Sequence, residues 1–212
     1  MMIKSDFFDQ DAQQLAQDLL GKVIRVKHRN RWLQAMIIET EAYYLTDKAS
    51  HASLGFTEKR KALFMPPGTI YMYHTRGGAS LNVSARGEGN AVLIKAGIPY
   101  GYESDPGMLA VMQTLNPPPS RTTEKLCAGQ TLLCKSLGLK VIDWDQKNFD
   151  PQRFYFSDVG YSPRQIIQTV RLGIPSHRDP HLLYRFIDYQ YARACTNNPL
   201  RKRDQNFLII NR

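Results

Sequence analysis

The feature that most limits the fold is a series of short hydrophobic segments separated by glycines. The stretch TIYMYHTRGGASLNVSARGEGNAVLIKA holds three segments rich in β-branched and aromatic residues, with Gly77-Gly78 and Gly87–Gly89 between them. Glycine readily adopts the backbone angles that tight β-turns require. The pattern therefore predicts three consecutive antiparallel strands, at Thr69–Tyr73, Ala79–Ser84 and Ala91–Ala96.

The flanking segments add further strands and several helices. The stretch KVIRVKHRNRWLQAMIIETEAY predicts two strands around a polar turn at His28–Arg31, and branched residues predict later strands at Arg164–Leu172 and Leu183–Asp188. Helices are predicted at four places: Asp9–Leu20, the basic stretch TEKRKALFM, about 105–115, and about 121–137, with Pro117–Pro119 before the last.

Together these elements predict an α+β fold. We expect a single compact domain over residues 1–212, with a mainly antiparallel, curved β-sheet, surrounding helices and a protruding β-hairpin. The basic tail over residues 195–212 is expected to be loosely ordered.

The charge of the chain favours a polyanionic partner. Lys and Arg number 28 against 19 Asp and Glu, which gives a formal net charge of +9. Such a surface attracts nucleic acid, although charge alone does not distinguish an enzyme from a binding protein.

Cysteine usage and hydropathy exclude several other classes. The three cysteines include no C-x-x-C pair, so we expect neither a disulfide framework nor a structural metal, and Cys127 and Cys134 are spaced to share one buried helix face. No apolar run approaches the roughly 18–20 residues of a membrane span, and the N-terminal stretch MMIKSDFFDQDAQQ lacks the apolar part of a signal peptide. We therefore expect a soluble, intracellular protein without a membrane partner, and by default a monomer.

The stretch IIETEAYYLTDKASH contains the first candidate for chemistry. Side chains alternate along a strand, so Glu39, Glu41 and Tyr43 would share one face, and His51 follows after a short loop. Such a face is most often solvated. Beside aromatic residues, however, a carboxylate can act as a general base, so this segment alone leaves both interpretations open.

A second candidate lies on the predicted hairpin. Tyr71 and Tyr73 share a face, and the tip beyond them reads HTRGG. The tyrosines would fit a hydrophobic core, and the tip would fit a flexible surface turn. Alternatively, the tip could enter a partner, because proteins that work on DNA bases often push a side chain into the base stack and hold the extruded base between aromatic rings.

These motifs together resemble the 3-methyladenine (alkyladenine) DNA glycosylase family. The resemblance is carried, in order, by FFDQDAQQLAQDLLGK, IIETEAY with the downstream ASH, LFMPPGTIYMY, LNVSARGEGNAVLIKA and RLGI. It extends from Phe7 to about Phe186 and is densest between Ile37 and Pro99. An ordered series of this kind is far more specific than a lone ETEAY.

The resemblance implies roles for the residues that match the family motifs. Glu41 stands where the family has the general base that activates the water attacking the sugar C1′, and Glu39 matches the supporting glutamate before it. Tyr43, His51 and Tyr73 match the aromatic residues that sandwich the flipped base.

Two further matches imply how the pocket selects its base. Backbone groups of Ala49 and His51 would contact the edge of the base, and Asn82 would exclude guanine by clashing with its exocyclic amine. Electron-rich rings would favour methylated purines, because these bases are cationic.

Two positions depart from the family pattern. Arg76, with Thr75 and Gly77 beside it, stands where the family has a tyrosine at the hairpin tip, in a hairpin one residue shorter than expected. An arginine plane can stack on bases, so we still expect these three residues to contact DNA. Lys95 stands where the family has an arginine beside the attacking water; a lysine can hold that water, or form a Schiff base with the sugar.

The sequence therefore predicts a monofunctional DNA glycosylase of base excision repair. This hydrolase would flip alkylated or deaminated purines out of double-stranded DNA and hydrolyse their N-glycosidic bonds, leaving abasic sites, without metal or other cofactor. It would act in the cytoplasm or nucleoid of a bacterium, or in the nucleus of a eukaryote. Two alternatives remain: a non-catalytic nucleic-acid-binding module of the same fold, and a bifunctional glycosylase/lyase that uses Lys95.

Overall fold

A long central strand organises the fold. The computed structural model of the protein describes residues 1–117, 122–201 and 206–212. Strand β2 (Arg31–Tyr43) follows β1 (Val23–His28) and pairs with it antiparallel through its first six residues. Further along, the same edge of β2 pairs with β8 (Arg185–Asp188) over residues 39 to 41. Its other edge pairs with β5 (Ala91–Pro99). The last part of β2 therefore lies between two strands rather than at a sheet edge.

The other strands extend this sheet in both directions. Strands β3 (Ile70–Thr75) and β4 (Gly78–Ser84) form a hairpin that joins β5 through β4. Strand β7 (Gln165–Thr169) joins β8 to β9 (Phe207–Asn211), and β6 (Phe154–Ser157) pairs with β1. The order along the sheet is β3-β4-β5-β2-β8-β7-β9, and the pairs are antiparallel. The predicted α+β fold in one compact domain is confirmed, as are the three strands of the glycine-rich stretch.

One helix fixes which face of β2 points into the core. Helix α1 (Ala12–Asp18) begins after Asp11, whose carboxylate accepts hydrogen bonds from two backbone N–H groups of the first turn. Its apolar side chains are fully buried. The Thr40 hydroxyl donates to the carbonyl of Ala16 in α1 at 2.7 Å. Because strand side chains alternate, Glu39 and Glu41 point to the other side of the sheet.

The second predicted helix of the central region is interrupted. Helix α2 (Pro106–Leu115) forms as predicted. Within the predicted span 121–137, however, a 3₁₀ turn at Thr123–Lys125 precedes a shorter helix, α3 (Gln130–Ser136). Gly129 has a φ of +145°, so an α-helix cannot continue through it. Cys127 therefore lies before α3 and Cys134 within it, and the expected shared helix face was wrong, although both thiols are buried. Pro118, Pro119 and Arg121, the first residue of the predicted span, lie outside the described residues.

Three other segments differ from the sequence-based expectations. The tail was expected to be loosely ordered, but β9 pairs with β7 along its whole length, so that expectation was wrong for Phe207–Asn211. The stretch TEKRKALFM, by contrast, forms a short helix as expected, a 3₁₀ helix at Glu58–Phe64. Strand β6 and the short helix α4 (Val141–Trp144) were not predicted.

Candidate active site

A cavity of about 220 Å³ lies on the side of the sheet that faces away from α1. It is bounded by the end of β2, by β5, by the β3–β4 hairpin and by the loop after β2. The residues that line it are Tyr43, Ala49, Ser50, His51, Leu63, Tyr71, Tyr73, Asn82, Ala91, Leu93, Lys95, Gln130, Leu172 and Ile174. The structure thus brings together, at one cavity, all five residues predicted to bind the base, together with Lys95.

Glu41 is fully buried and lies directly behind the residues that line this cavity, without lining it itself. Its Oε2 accepts a hydrogen bond from the Tyr43 hydroxyl at 2.7 Å. Its Oε1 accepts one from the Leu172 backbone N–H at 3.3 Å and lies 3.3 Å from Lys95 Nζ. Each of these three partners also lines the cavity, so the carboxylate is held in place by the walls of the pocket itself.

A β-bulge explains how Lys95 reaches Glu41. Glu39 on β2 is opposite Ala96 on β5, but the next residue, Thr40, is opposite Ile94. Lys95 is therefore the extra residue on β5, without an opposing residue on β2. A bulge of this kind redirects a side chain, and here it accompanies the ion pair that Lys95 forms with Glu41.

Tyr43 is fixed from both ends. Its hydroxyl binds Glu41, and the guanidinium of Arg171 lies 4.5 Å from its ring centroid. Arg171 is buried, forms a bidentate ion pair with Asp47 and donates to the carbonyl of Ala42. Burial and the neighbouring Glu41 carboxylate raise the pKa of Tyr43 well above its ordinary value of 10.0. The hydroxyl therefore stays protonated and acts as a donor to Glu41.

The opposite wall is built from His51 and two tyrosines of β3. His51 Nδ1 lies 2.9 Å from the Tyr71 hydroxyl, and the His51 and Tyr73 ring centroids are 4.5 Å apart. His51 as a residue is exposed at the mouth, yet the loss of solvent around its ring, followed by the charges of Arg60 and Arg178, lowers its pKa from 6.5. The imidazole is therefore neutral at neutral pH.

Asn82, predicted to exclude guanine, and Ala49, predicted to contact the base edge, have defined local partners. Asn82 on β4 is buried and directs its amide N–H₂ to the carbonyl of Tyr71 at 3.1 Å, which fixes the orientation of its side chain in the pocket wall. The backbone N–H of Ala49 donates to Asp47 at 2.9 Å. A contact between Ala49 and a bound base would therefore fall to its carbonyl.

Glu39 is part of the core and not of the cavity. Its Oε1 accepts from Arg185 Nε at 2.7 Å and its Oε2 from the Thr196 backbone N–H at 2.7 Å. Both side chains of the Glu39–Arg185 pair are fully buried. This pair joins β2 to β8 and to the segment after it.

The hairpin tip is a two-residue turn of Arg76 and Gly77. Thr75 is directly opposite Gly78, and the Thr75 hydroxyl donates to the Gly78 carbonyl at 3.1 Å. Arg76 and Gly77 are exposed, and the tip lies three residues beyond Tyr73 on the same strand. The tip residues are thus near the cavity along the chain but do not line it.

Sequence reasoning missed several residues of the site. Arg171 and Leu172 belong to the quoted stretch RLGI, yet no role was predicted for them, and Asp47 lies unremarked in the loop after β2. An arginine and an aspartate more than a hundred residues apart give no local signal that they pair. Gln130, at the start of α3, was also not predicted.

Other parts of the described chain offer less. A larger depression of about 800 Å³ at the β1–β2 turn contains His28, Arg29 and Trp32, but none of the predicted site residues. The smaller cavity is the candidate active site because three of its lining residues contact the buried carboxylate of Glu41. Among residues 1–117, 122–201 and 206–212, no cluster of His, Cys, Asp or Glu is suited to hold a metal ion. Within those same ranges no helix has the length and hydropathy needed to cross a membrane.

Sequence comparisons with known proteins identify the family of this chain. The family model described as methylpurine-DNA glycosylase matches residues 6–192. A protein of Pseudomonas syringae pv. tomato named "Putative 3-methyladenine DNA glycosylase" is 63% identical over 204 residues, which cover 94% of this chain and 92% of that protein. Proteins of the same name from Pseudomonas aeruginosa (strain UCBPP-PA14) and Clostridium botulinum are 60% and 32% identical, over 92% and 82% of this chain and 84% and 88% of theirs. The chain belongs to the methylpurine-DNA glycosylase family.

Proposed function

We propose that this chain is a monofunctional DNA glycosylase. It would bind double-stranded DNA as a monomer, flip an alkylated or deaminated purine into the cavity and hydrolyse the N-glycosidic bond, leaving an abasic site. The observation that carries the proposal is the fully buried Glu41, whose partners Tyr43, Lys95 and Leu172 all line the cavity. The names of the bacterial relatives support the same reaction and suggest chromosomal DNA in a bacterial cell as the substrate.

The aromatic walls account for binding of the flipped base. Arg171 covers one face of Tyr43, so a purine would stack on the other face. Neutral His51 and Tyr73 would contact the opposite side of the base. A 3-methyl- or 7-methylpurine is a cation, which such rings attract through their electron-rich faces. A charged imidazole would repel it, so the lowered pKa of His51 supports this role.

Glu41 would act as the general base. A water beside its carboxylate would attack the sugar C1′ while Glu41 accepts a proton, and the electrons of the C1′–N bond would leave with the base. The positive charge that develops on the sugar in the transition state would be stabilised by the same carboxylate. A methylated purine leaves as a neutral molecule, so this reaction needs no strong acid.

Tyr43 and Lys95 would position the carboxylate. Tyr43 holds Oε2 and the Leu172 N–H and Lys95 hold Oε1, so the direction of the proton-accepting lone pairs is set before substrate arrives. In the ion pair with Glu41, the Lys95 amine is an ammonium group without a free lone pair. This arrangement favours hydrolysis over attack by the lysine and supports a monofunctional enzyme.

Replacing Glu41 by glutamine tests the proposal. Glu41→Gln keeps the shape of the side chain and an oxygen for the Tyr43 hydroxyl, but removes the base. We expect release of free purine from alkylated duplex DNA to fall about a thousandfold, while binding to the same DNA stays close to wild type. Equal loss of binding and release would make Glu41 structural. Binding without any release by the wild-type protein would establish the non-catalytic module instead.

The bifunctional alternative is favoured by one observation, the placement of Lys95 in the cavity. A lysine that attacks C1′ forms a Schiff base, which borohydride reduces to a stable protein–DNA adduct. We expect no such adduct with wild-type protein and no strand breaks beyond those of spontaneous abasic-site decay. An adduct that disappears in Lys95→Gln would establish the lyase.

A further inference from the structure

A short exposed segment at the rim of the cavity presents two large apolar side chains to solvent. Residues 53 to 59 are all exposed, and among them the side chains of Leu54 and Phe56 are the large hydrophobic ones, with 60% and 57% of their surface accessible. Gly55 between them has a φ of +81°, and a Cβ placed there would meet no atom within 4 Å. We call residues 53–59 the rim segment. Its apex is open to solvent at Gly55, whereas the ring of Phe56 lies edge-on to the ring of Phe64, with the centroids 5.5 Å apart.

The rim segment is firmly attached to the cavity at both ends. It starts two residues after His51, and Ala52 and Leu63 on either side of it pack in one apolar cluster with Tyr71. Arg60 Nη1 donates to the His51 carbonyl at 3.2 Å. Gln146 Nε2 donates to the Glu58 carbonyl at 2.7 Å. Packing and hydrogen bonds therefore connect the rim segment to the residues at the cavity mouth.

The charges next to the apex favour a polyanion. Lys59 and Lys61 are exposed and Arg60 is half-buried, whereas Glu58 is the one acidic residue among them. Glu58 forms only a surface ion pair with Lys61, at 3.9 Å. Arg178 lies near enough to lower the pKa of His51. The apolar apex with these cations beside it is complementary to a surface that is apolar in its centre and anionic at its sides.

Duplex DNA with an extruded base has such a surface, because the opened stack exposes base faces between two rows of phosphates. We infer that Leu54 and Phe56 form a second wedge that packs against the base stack beside the flipped nucleotide. This inference rests on the proposed function and deepens it. The hairpin tip carries Arg76, a cation that binds phosphate readily, so the apolar part of the wedge would come from the rim segment and the tip would contribute charge.

The test compares one damaged base in two settings. Single-turnover release of the same methylated or deaminated purine is measured from a duplex and from the corresponding single strand, for wild type and for Leu54→Ala combined with Phe56→Ala. The matched control is Leu208→Ala, with 55% of that leucine exposed. The end of the rim segment belongs to the 3₁₀ helix Glu58–Phe64, which packs against β3. Leu208 lies on β9, at the opposite end of the sheet from β3.

We expect the double variant to lose about tenfold on the duplex, and clearly less on the single strand, which has no stack to open. A 2-aminopurine placed next to the lesion should also show a smaller rise in fluorescence on binding. Phe56→Trp, which keeps an aromatic ring, should retain most of the duplex activity. The Leu208→Ala control should match wild type on both substrates.

Two results would overturn the inference. If the double variant releases the base from the duplex at the wild-type rate, the rim segment serves another partner, such as a protein. An equal loss on both substrates would mean that the segment only supports the pocket. Failure of wild type to release any base from either substrate would instead contradict the proposed function, so the two failures are distinguishable.

Discussion

Two buried glutamates on one strand have opposite surroundings. Glu39 and Glu41 are two residues apart, point to the same side of the sheet and are each paired with a cation. The partners of Glu39 are Arg185 and the Thr196 N–H, which lie in the packed interior between β2 and the segment after β8. The partners of Glu41 line an open cavity. We propose that this difference separates a general base from a structural carboxylate, because only the partners of Glu41 border a space that substrate and water can enter.

The largest expected effect is a difference in the free energy of unfolding between Glu39→Gln and Glu41→Gln. Glu39→Gln leaves Arg185 as an uncompensated charge in the core, and we expect the free energy of unfolding to fall by about 3–5 kcal/mol. Glu41→Gln leaves Lys95, which reaches the cavity and its solvent, so its cost should be distinctly smaller. Urea unfolding of both variants measures the difference. Equal losses would show that the two pairs are equivalent structural elements.

Variants of Lys95 test whether its ion pair positions the Glu41 carboxylate. Lys95→Ala removes the cation that holds Glu41 Oε1, and we expect base release to fall about a hundredfold because the carboxylate is no longer held in position. Lys95→Arg keeps the charge and should retain most of the rate. Single-turnover kinetics under saturating DNA provide the measurement. An unchanged rate in Lys95→Ala would remove this residue from the positioning of the base.

Two exposed hairpin tips offer a matched test of the proposed DNA surface. Arg76 and Arg29 are both exposed arginines in two-residue turns, but Arg29 is at the far end of β2, roughly 33 Å of strand away from Glu41. Arg76→Ala should reduce release from duplex DNA by about tenfold and have less effect on single strands. Arg29→Ala should leave both unchanged. Similar losses in the two variants would indicate that only overall charge matters.

The smallest expected effect concerns His51 and pH. Its pKa is lowered from 6.5, so the ring is neutral at pH 7 and becomes charged as the pH falls below that range. Binding of a cationic base should then weaken by about twofold to fivefold, and binding of a neutral lesion should not. The unfolded chain binds the proton more readily, so stability also falls as the pH drops through 6.5 and is regained above it. In His51→Gln, binding of the cationic lesion and binding of the neutral lesion should show the same dependence on pH.

The sequence predicts local features of this molecule well. Alternation along β2 and glycine turn chemistry predicted the central strand, the β3–β4 hairpin and the shared face of Glu39 and Glu41. The family resemblance then singled out residues that the structure brings together at one cavity. These features depend on residues close together along the chain or on motifs with characteristic order.

The missed features depend on contacts between distant segments. The ion pairs of Arg171 with Asp47 and of Arg185 with Glu39 join residues 124 and 146 positions apart. The bulge at Lys95 arises from the register between β2 and β5, which neither strand specifies alone. The final strand β9 is formed by a basic, polar tail whose apolar residues gain a partner only when β7 is in place.

We propose that Glu41, and not Glu39, performs the chemistry. The most direct measurement is single-turnover release of free base from alkylated duplex DNA by wild type, Glu41→Gln and Glu39→Gln, with DNA binding followed in parallel below the melting temperature of each variant. We predict that Glu41→Gln binds DNA but releases base about a thousandfold more slowly, whereas folded Glu39→Gln releases it at close to the wild-type rate. Release by Glu41→Gln at the wild-type rate, or an equal loss of release in both folded variants, would contradict the assignment of Glu41 as the general base.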